Sequence, residues 1–350
     1  MIDLNKQSQT TGDNSTAIQA QSVTIVQADR TFIEGIAKDV IRRELDTLTK
    51  GALDEFKKRA DNFVSGFIDR LAASKTFNKK KFEEPQFQFS LNDAQREYGK
   101  SGAADLKEEL INLLLRMNEE PSDEIAKLYA EAIKVIPLLT RAQIKAIALV
   151  GLVRYISYGV GNVEQLVELY EKNVFPFLDG AARSSYDFSH IEYARCGQIG
   201  IGSFSLTSML HETYRGIFCK GFPSDAISND ISEETKRTFF MPCLHDHSLQ
   251  QVVALRKQDL EEKIKQHSLK DQEAQAIRAL FQNHMMADNE ILALLEKRNA
   301  RFKELSDYIS STPSSHLSLT SVGMIVAVVN SEGATGEKIN LSNWFSPSGQ

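Results

Sequence analysis

From Asp29 to about Ser74 the chain has no proline, and apolar residues fall at Leu45, Leu48, Ala52, Phe56, Ala60, Phe63, Phe67 and Leu71. Steps of three and four place them on one helix face. Asp29 is a suitable N-cap, and a glycine inside a helix costs ~1 kcal/mol relative to alanine. The pattern therefore predicts a long amphipathic helix over 29–75, kinked or broken at Gly51. The same periodicity returns at Ala104–Glu119, Ser122–Val135, Arg141–Tyr158 and Val163–Tyr170, with proline, glycine or polar breaks between. It resumes at Leu249–His267, Asp271–Met286 and Asn289–Ser310.

Other stretches break the helical rhythm. Residues 1–28 are polar and nearly uncharged, with turn chemistry at Gly12-Asp13-Asn14-Ser15 and a β-branched run, Ser22–Gln27. A lone strand cannot satisfy its own edges, whereas copies from several chains can pair and stack amide side chains. This segment is read as an assembly or recruitment element, with Gly12, Asn14, Ile18, Gln19, Val23 and Ile25 as its interaction residues. Asn78-Lys79-Lys80-Lys81 with Glu83-Glu84-Pro85 and the Phe87/Phe89 alternation reads as a loop with a short extended piece. Residues 174–250 are rich in glycine and aromatic residues and form the expected home of any activity. After the Ser/Thr/Pro stretch 310–315, residues 312–350 read as a short helix and terminal strand, similar to the closing part of a winged-helix unit.

The expected fold is thus mainly α: a multi-helical array with a short N-terminal β segment and a small C-terminal α/β element. Its organisation is 1–28 assembly segment, 29–75 amphipathic helix, 76–250 helical body, 251–311 helical hairpin and 312–350 α/β element. The composition, 350 residues with 42% hydrophobic, 25% charged and a net charge of −6, is that of a globular protein with its own cores. It argues against a general nucleic-acid coat driven by phosphate neutralisation. Three separated cysteines and the absence of a basic, then apolar, N-terminal leader point to the cytoplasm. The apolar stretches 146–153 and 322–329 fall short of the roughly 20 residues that cross a bilayer, so no membrane association is expected.

Candidate chemistry is sparse. Cys243-x-His245-x-His247, with Asp246 between the histidines and His211-Glu212 elsewhere, contains the groups that bind zinc, yet its spacing matches no standard zinc pattern. Cys196 or Cys243 with a histidine could be a nucleophile only where a neighbour lowers its pKa. Gly197-x-x-Gly200-x-Gly202 lacks the lysine and Ser/Thr of a phosphate loop. Lys79–Lys81 beside two glutamates reads as a solvated loop, which leaves nucleic acid the less favoured partner. No cofactor is expected.

The chain resembles an uncharacterised family of bacterial proteins at Gly12-Asp13-Asn14-Ser15 with Ile18-Gln19, at Pro242-Cys243-Leu244-His245-Asp246 with Gln251, and at Leu319-Thr320-Ser321-Val322-Gly323 with Leu341-Ser342 and Trp344. The resemblance implies a bacterial origin and this domain order, and it carries no catalytic residue. The N-terminal segment is also similar to those that precede effector or sensor modules in bacterial conflict systems, which implies a defence role. The functional expectation is a non-enzymatic interaction or assembly protein that forms a homo-oligomer or binds a protein partner. The alternative is an effector hydrolase with its site in residues 190–247.

Overall fold

The computed structural model describes residues 33–35, 48–74, 78–336, 338–339 and 341. The expected N-terminal β segment and its interaction residues, Gly12, Asn14, Ile18, Gln19, Val23 and Ile25, lie outside them. The protein is mainly helical with a few short antiparallel strands, and it divides into two compact units, Met1–Thr140 with Gly336–Gln350, and Arg141–Thr335. The division falls inside the stretch read from sequence as one helical body.

In the first unit, helix α1 is Lys50–Ala73 and buries Leu53, Phe56, Ala60, Phe63, Val64, Phe67, Ile68 and Leu71. It starts next to Gly51, where the sequence pattern allowed a break; Leu53 rather than Ala52 faces the core. The segment expected to be a loop with an extended piece is instead a 3-10 turn, Lys79–Glu83, followed by helix α2, Pro85–Ser101. Proline is favoured at a first helical position, where no N–H is needed. Phe87, Leu91, Ala94 and Tyr98 then follow a helical period into the core, while Phe89 stays exposed. Phe82 and Phe87 pack edge to face with centroids 4.8 Å apart. Lys81 is not a solvated charge: its buried ammonium pairs with Glu84 at 3.1 Å and Asp123 at 3.4 Å. Helices α3 (Ala104–Glu119) and α4 (Asp123–Val135) complete the bundle, the latter capped by Ser122 Oγ, which accepts from Ile125 N–H.

The second unit begins with α5 (Arg141–Val150), which does not run on as a helix to Tyr158 but widens into a π turn at Gly151–Tyr155. There follow α6 (Val163–Asn173), α7 (Phe175–Leu178), α8 (Ser185–Tyr193), strand β1 (Gly197–Ile199), α9 (Leu206–Thr213), α10 (Glu233–Phe239) and strand β2 (Phe240–Pro242). Strand β3 (Gln250–Val252) pairs antiparallel with β2, with Met241 opposite Gln251, where the helical pattern had been extended back to Leu249. The helix α11 begins only at Lys257 and ends at Gln266. Next come α12 (Asp271–Asn283), α13 (Asp288–Glu296) and α14 (Arg301–Ser311). The apolar spacing at 289–310 continues across a break at 297–300, where Asn299 Oδ1 accepts from Arg301 N–H and restarts the chain as a new helix. The expected hairpin at 251–311 is thus a run of four shorter helices.

In the C-terminal stretch the described strand comes before the helix rather than after it. Strand β4 (Leu317–Leu319) precedes helix α15 (Ser321–Thr335) and pairs antiparallel with β1, more than a hundred residues earlier in the chain. The Ser/Thr/Pro linker is a buried 3-10 turn, Pro313–His316, in which Thr312 Oγ1 donates to Tyr308 O at 2.8 Å. Lys338, Ile339 and Leu341 are not in a strand, and residues 342–345 lie outside the described residues. Met324–Val329 are all buried, as expected of a helix without a polar face at the centre of a fold, and α15 packs on α5. The π turn brings Arg154 and Tyr155 together onto β4: the guanidinium donates to Leu317 O at 2.9 Å, and the Tyr155 hydroxyl accepts from Leu319 N–H at 3.0 Å. Around β2 and β3 a second core contains Phe222, Ile231, Phe239, Val252, Leu260 and Ile277. Among the described residues no helix is long and apolar enough to cross a membrane.

Candidate functional site

The turn from Cys243 to Gln251 grips the segment Gly216–Phe222 through its polar side chains. Phe222 and Gln250 exchange two backbone hydrogen bonds of 2.8 Å. Gln251 is fully buried and satisfied at both ends of its amide: Oε1 accepts from Leu244 N–H at 2.9 Å, and Nε2 donates to Gly216 O at 3.1 Å. His245 Nε2 lies 2.6 Å from the Ile217 carbonyl, which can only accept, so this nitrogen carries the proton. The Cys243 thiol donates to Cys219 O at 3.6 Å. Asp246 accepts from the Ser248 hydroxyl and N–H at 2.7 and 2.9 Å, bonds that hold its carboxyl below the usual range. His247 is exposed, and His211 sits on α9.

The side chains that suggested zinc or a nucleophile are therefore spread over separate tasks. Among the described residues no group of three or more His, Cys, Asp or Glu side chains could hold a metal ion. Cys196 is buried, and burial pushes its thiol up to about 12, opposite to what nucleophilic catalysis needs. The Gly197-x-x-Gly200-x-Gly202 stretch is β1 and its following turn, pinned by Gly200 N–H on His316 O at 3.0 Å.

A different constellation, not legible in the local sequence, lies on α8. Buried Gln143 of α5 donates through Nε2 to Asp187 Oδ1 at 3.2 Å, and its Oε1 lies 3.1 Å from His190 Nδ1. An amide oxygen only accepts, so His190 carries a proton on Nδ1. Asp187 also takes the Ser184 hydroxyl at 2.6 Å, which anchors the first turn of α8. The His190 ring stacks on Tyr193 with centroids 6.0 Å apart. Tyr186, His190 and Tyr193 follow the i, i+4, i+7 spacing of one helix face. That spacing is the one sequence signal that could have revealed them.

Tyr186 and Tyr193 are 79% and 77% exposed, and β1 with its following turn adds Ile199 and the fully exposed Ile201. Glu192 Oε1 accepts from Ile199 N–H at 3.2 Å and ties strand to helix. Among the described residues of the second unit, every exposed large apolar side chain comes from residues 186–201. The result is an aromatic and aliphatic surface on a hydrogen-bonded base.

Fold and site together define a mainly helical protein with exposed aromatic and aliphatic side chains on α8, β1 and the following turn, and with His190, His245 and Cys243 engaged in internal contacts. The chain matches the model of an uncharacterised protein family across residues 30–345 and belongs to that family. No curated protein and no solved structure matches it.

Proposed function

We propose that the protein is a non-enzymatic interaction protein that docks another protein chain on the α8–β1 face, with residues 1–28 as a further assembly segment. The exposure of Tyr186, Tyr193, Ile199 and Ile201 within one short stretch carries this reading. Large exposed apolar clusters are uncommon on surfaces that stay in water, and tyrosine is enriched among residues that dominate binding energy. The Gln143 network supports the reading because it holds His190 and the first turn of α8 in place before any partner arrives. In the stretch 190–247 that a hydrolase would draw on, His245 and Cys243 are spent on backbone carbonyls.

The test is a photo-cross-linking amino acid placed at Tyr193 in the full chain, with Lys265 on α11 as the control position. A discrete adduct from position 193 that Tyr186→Ser weakens by ~10-fold supports the assignment. Equal labelling from both positions removes it. Light scattering of the full chain beside one starting at Asp29 then reports whether residues 1–28 drive self-association.

A further inference from the structure

The second unit holds three buried, free thiols, Cys196, Cys219 and Cys243. Two of them converge on Gly221. Its N–H donates to Cys219 Sγ at 3.4 Å, and a Cβ built on its Cα would fall 2.9 Å from Cys243 Cβ and 3.0 Å from Cys243 Sγ. The positive φ of 81° and the missing side chain let the chain turn here, and Cys243 fills the space left.

The two sulfurs are chemically unequal. Cys219 Sγ accepts an N–H, the polarity that favours a thiolate, although burial pushes this thiol up overall. Cys243 Sγ instead donates to the carbonyl of Cys219 itself. The two segments are joined by the Phe222–Gln250, His245–Ile217 and Gln251–Gly216 bonds, which hold both cysteines at this turn. Both thiols are buried, and next to Cys219 the Lys220 side chain is 47% exposed and pairs with Glu290, so a small oxidant reaches the sulfurs when this turn opens.

We propose that Cys219 and Cys243 are a reversible dithiol–disulfide pair oxidised by hydrogen peroxide. The Cys219 sulfur attacks one peroxide oxygen, the O–O bond breaks, and the departing hydroxide leaves as water with the proton of the Cys219 thiol. The Cys243 sulfur then attacks the resulting sulfenic sulfur. The S–O bond breaks, and the hydroxyl leaves as a second water with the Cys243 proton. Two electrons pass from the sulfur pair to the peroxide. The product joins the β2–β3 turn covalently to Gly216–Phe222, where the reduced protein holds it only by hydrogen bonds.

The experiment treats the native full chain with mild peroxide, then denatures and alkylates it. The expected result is a mass loss of about 2 Da, one alkylated cysteine, Cys196, and recovery of three after a thiol reductant. Cys196→Ser should leave the disulfide intact, and Cys243→Ser should stop at a Cys219 sulfenic acid that a 1,3-dione traps. Three alkylated cysteines after peroxide, or a bridge that includes Cys196, overturns the proposal. If Cys243→Ser does not fold, Cys196→Ser with peptide mapping decides the same point.

Discussion

Gly323 lies directly beneath the carbonyl of Cys196: a Cβ on it would fall 1.7 Å from that oxygen. The same oxygen accepts from Thr320 N–H at 3.1 Å, while the Thr320 hydroxyl donates to Arg195 O at 2.6 Å and accepts from Gly323 N–H at 3.1 Å. One residue thus caps α15, and another lets the chain leaving α8 cross it at close range. This accounts for threonine and glycine three residues apart in Leu319-Thr320-Ser321-Val322-Gly323. Gly323→Ala must push two backbones apart and should lower stability by about 2–4 kcal/mol in urea denaturation. Gly202→Ala, with nothing within 4 Å of the new methyl, should change it by less than about 0.5 kcal/mol. Similar values for the two would show that the α8–α15 crossing yields easily.

Gln95 on α2 is fully buried, and neither Oε1 nor Nε2 has a hydrogen-bond partner among the described residues. Removing unpaired polar atoms at constant shape recovers their desolvation cost. Gln95→Met should therefore raise the unfolding free energy by about 1–3 kcal/mol. A loss of stability instead would mean that the amide is paired in solution.

Gln251 and His245 predict the opposite sign. Gln251→Leu strands the Leu244 N–H and the Gly216 carbonyl and should cost about 2–4 kcal/mol. His245→Ala strands the Ile217 carbonyl alone and should cost about 1–2 kcal/mol. The exposed His247→Ala should stay within about 0.5 kcal/mol. Chelator treatment of the wild type should leave its melting curve unchanged; a lowered transition would revive a metal at this turn.

Burial is the main reason the His211 imidazole is held below its ordinary value of 6.5; Arg215 acts in the same direction, and Asp288 and Glu212 oppose. As pH falls, the unfolded chain takes up this proton before the folded protein does, so stability declines as pH drops below that value. His211→Gln should flatten the decline between about pH 7 and pH 5. Identical slopes for variant and wild type would exclude the effect. The carboxylates of Glu164, lowered by its own backbone N–H and Arg298, and of Glu261, lowered by Arg278, act in a separate window. Their contributions are present above the ordinary value of 4.5 and are lost as pH falls through their lowered folded values.

The sequence by itself determined the helical class and the elements with a clear buried stripe. Ala104–Glu119 was read to the residue from its buried stripe, and Asp123–Val135 follows the Ser122 cap as well as its stripe. Spacing misled in two other places. Phe87 and Phe89 looked alternating on a helix, and 289–310 looked continuous across a break. The tertiary structure alone decided the rest. Strand β1 finds β4, and Gln143 finds Asp187 and His190, across separations that no local pattern encodes. The same packing turned Cys243 and His245 from apparent chemistry into internal fastenings beside Gln251, because buried polar groups are mostly paired and backbone carbonyls and N–H donors lay within reach. It also left Tyr186 and Tyr193 outside, since the opposite face of α8 already supplied Phe188 and Ile191 to the core.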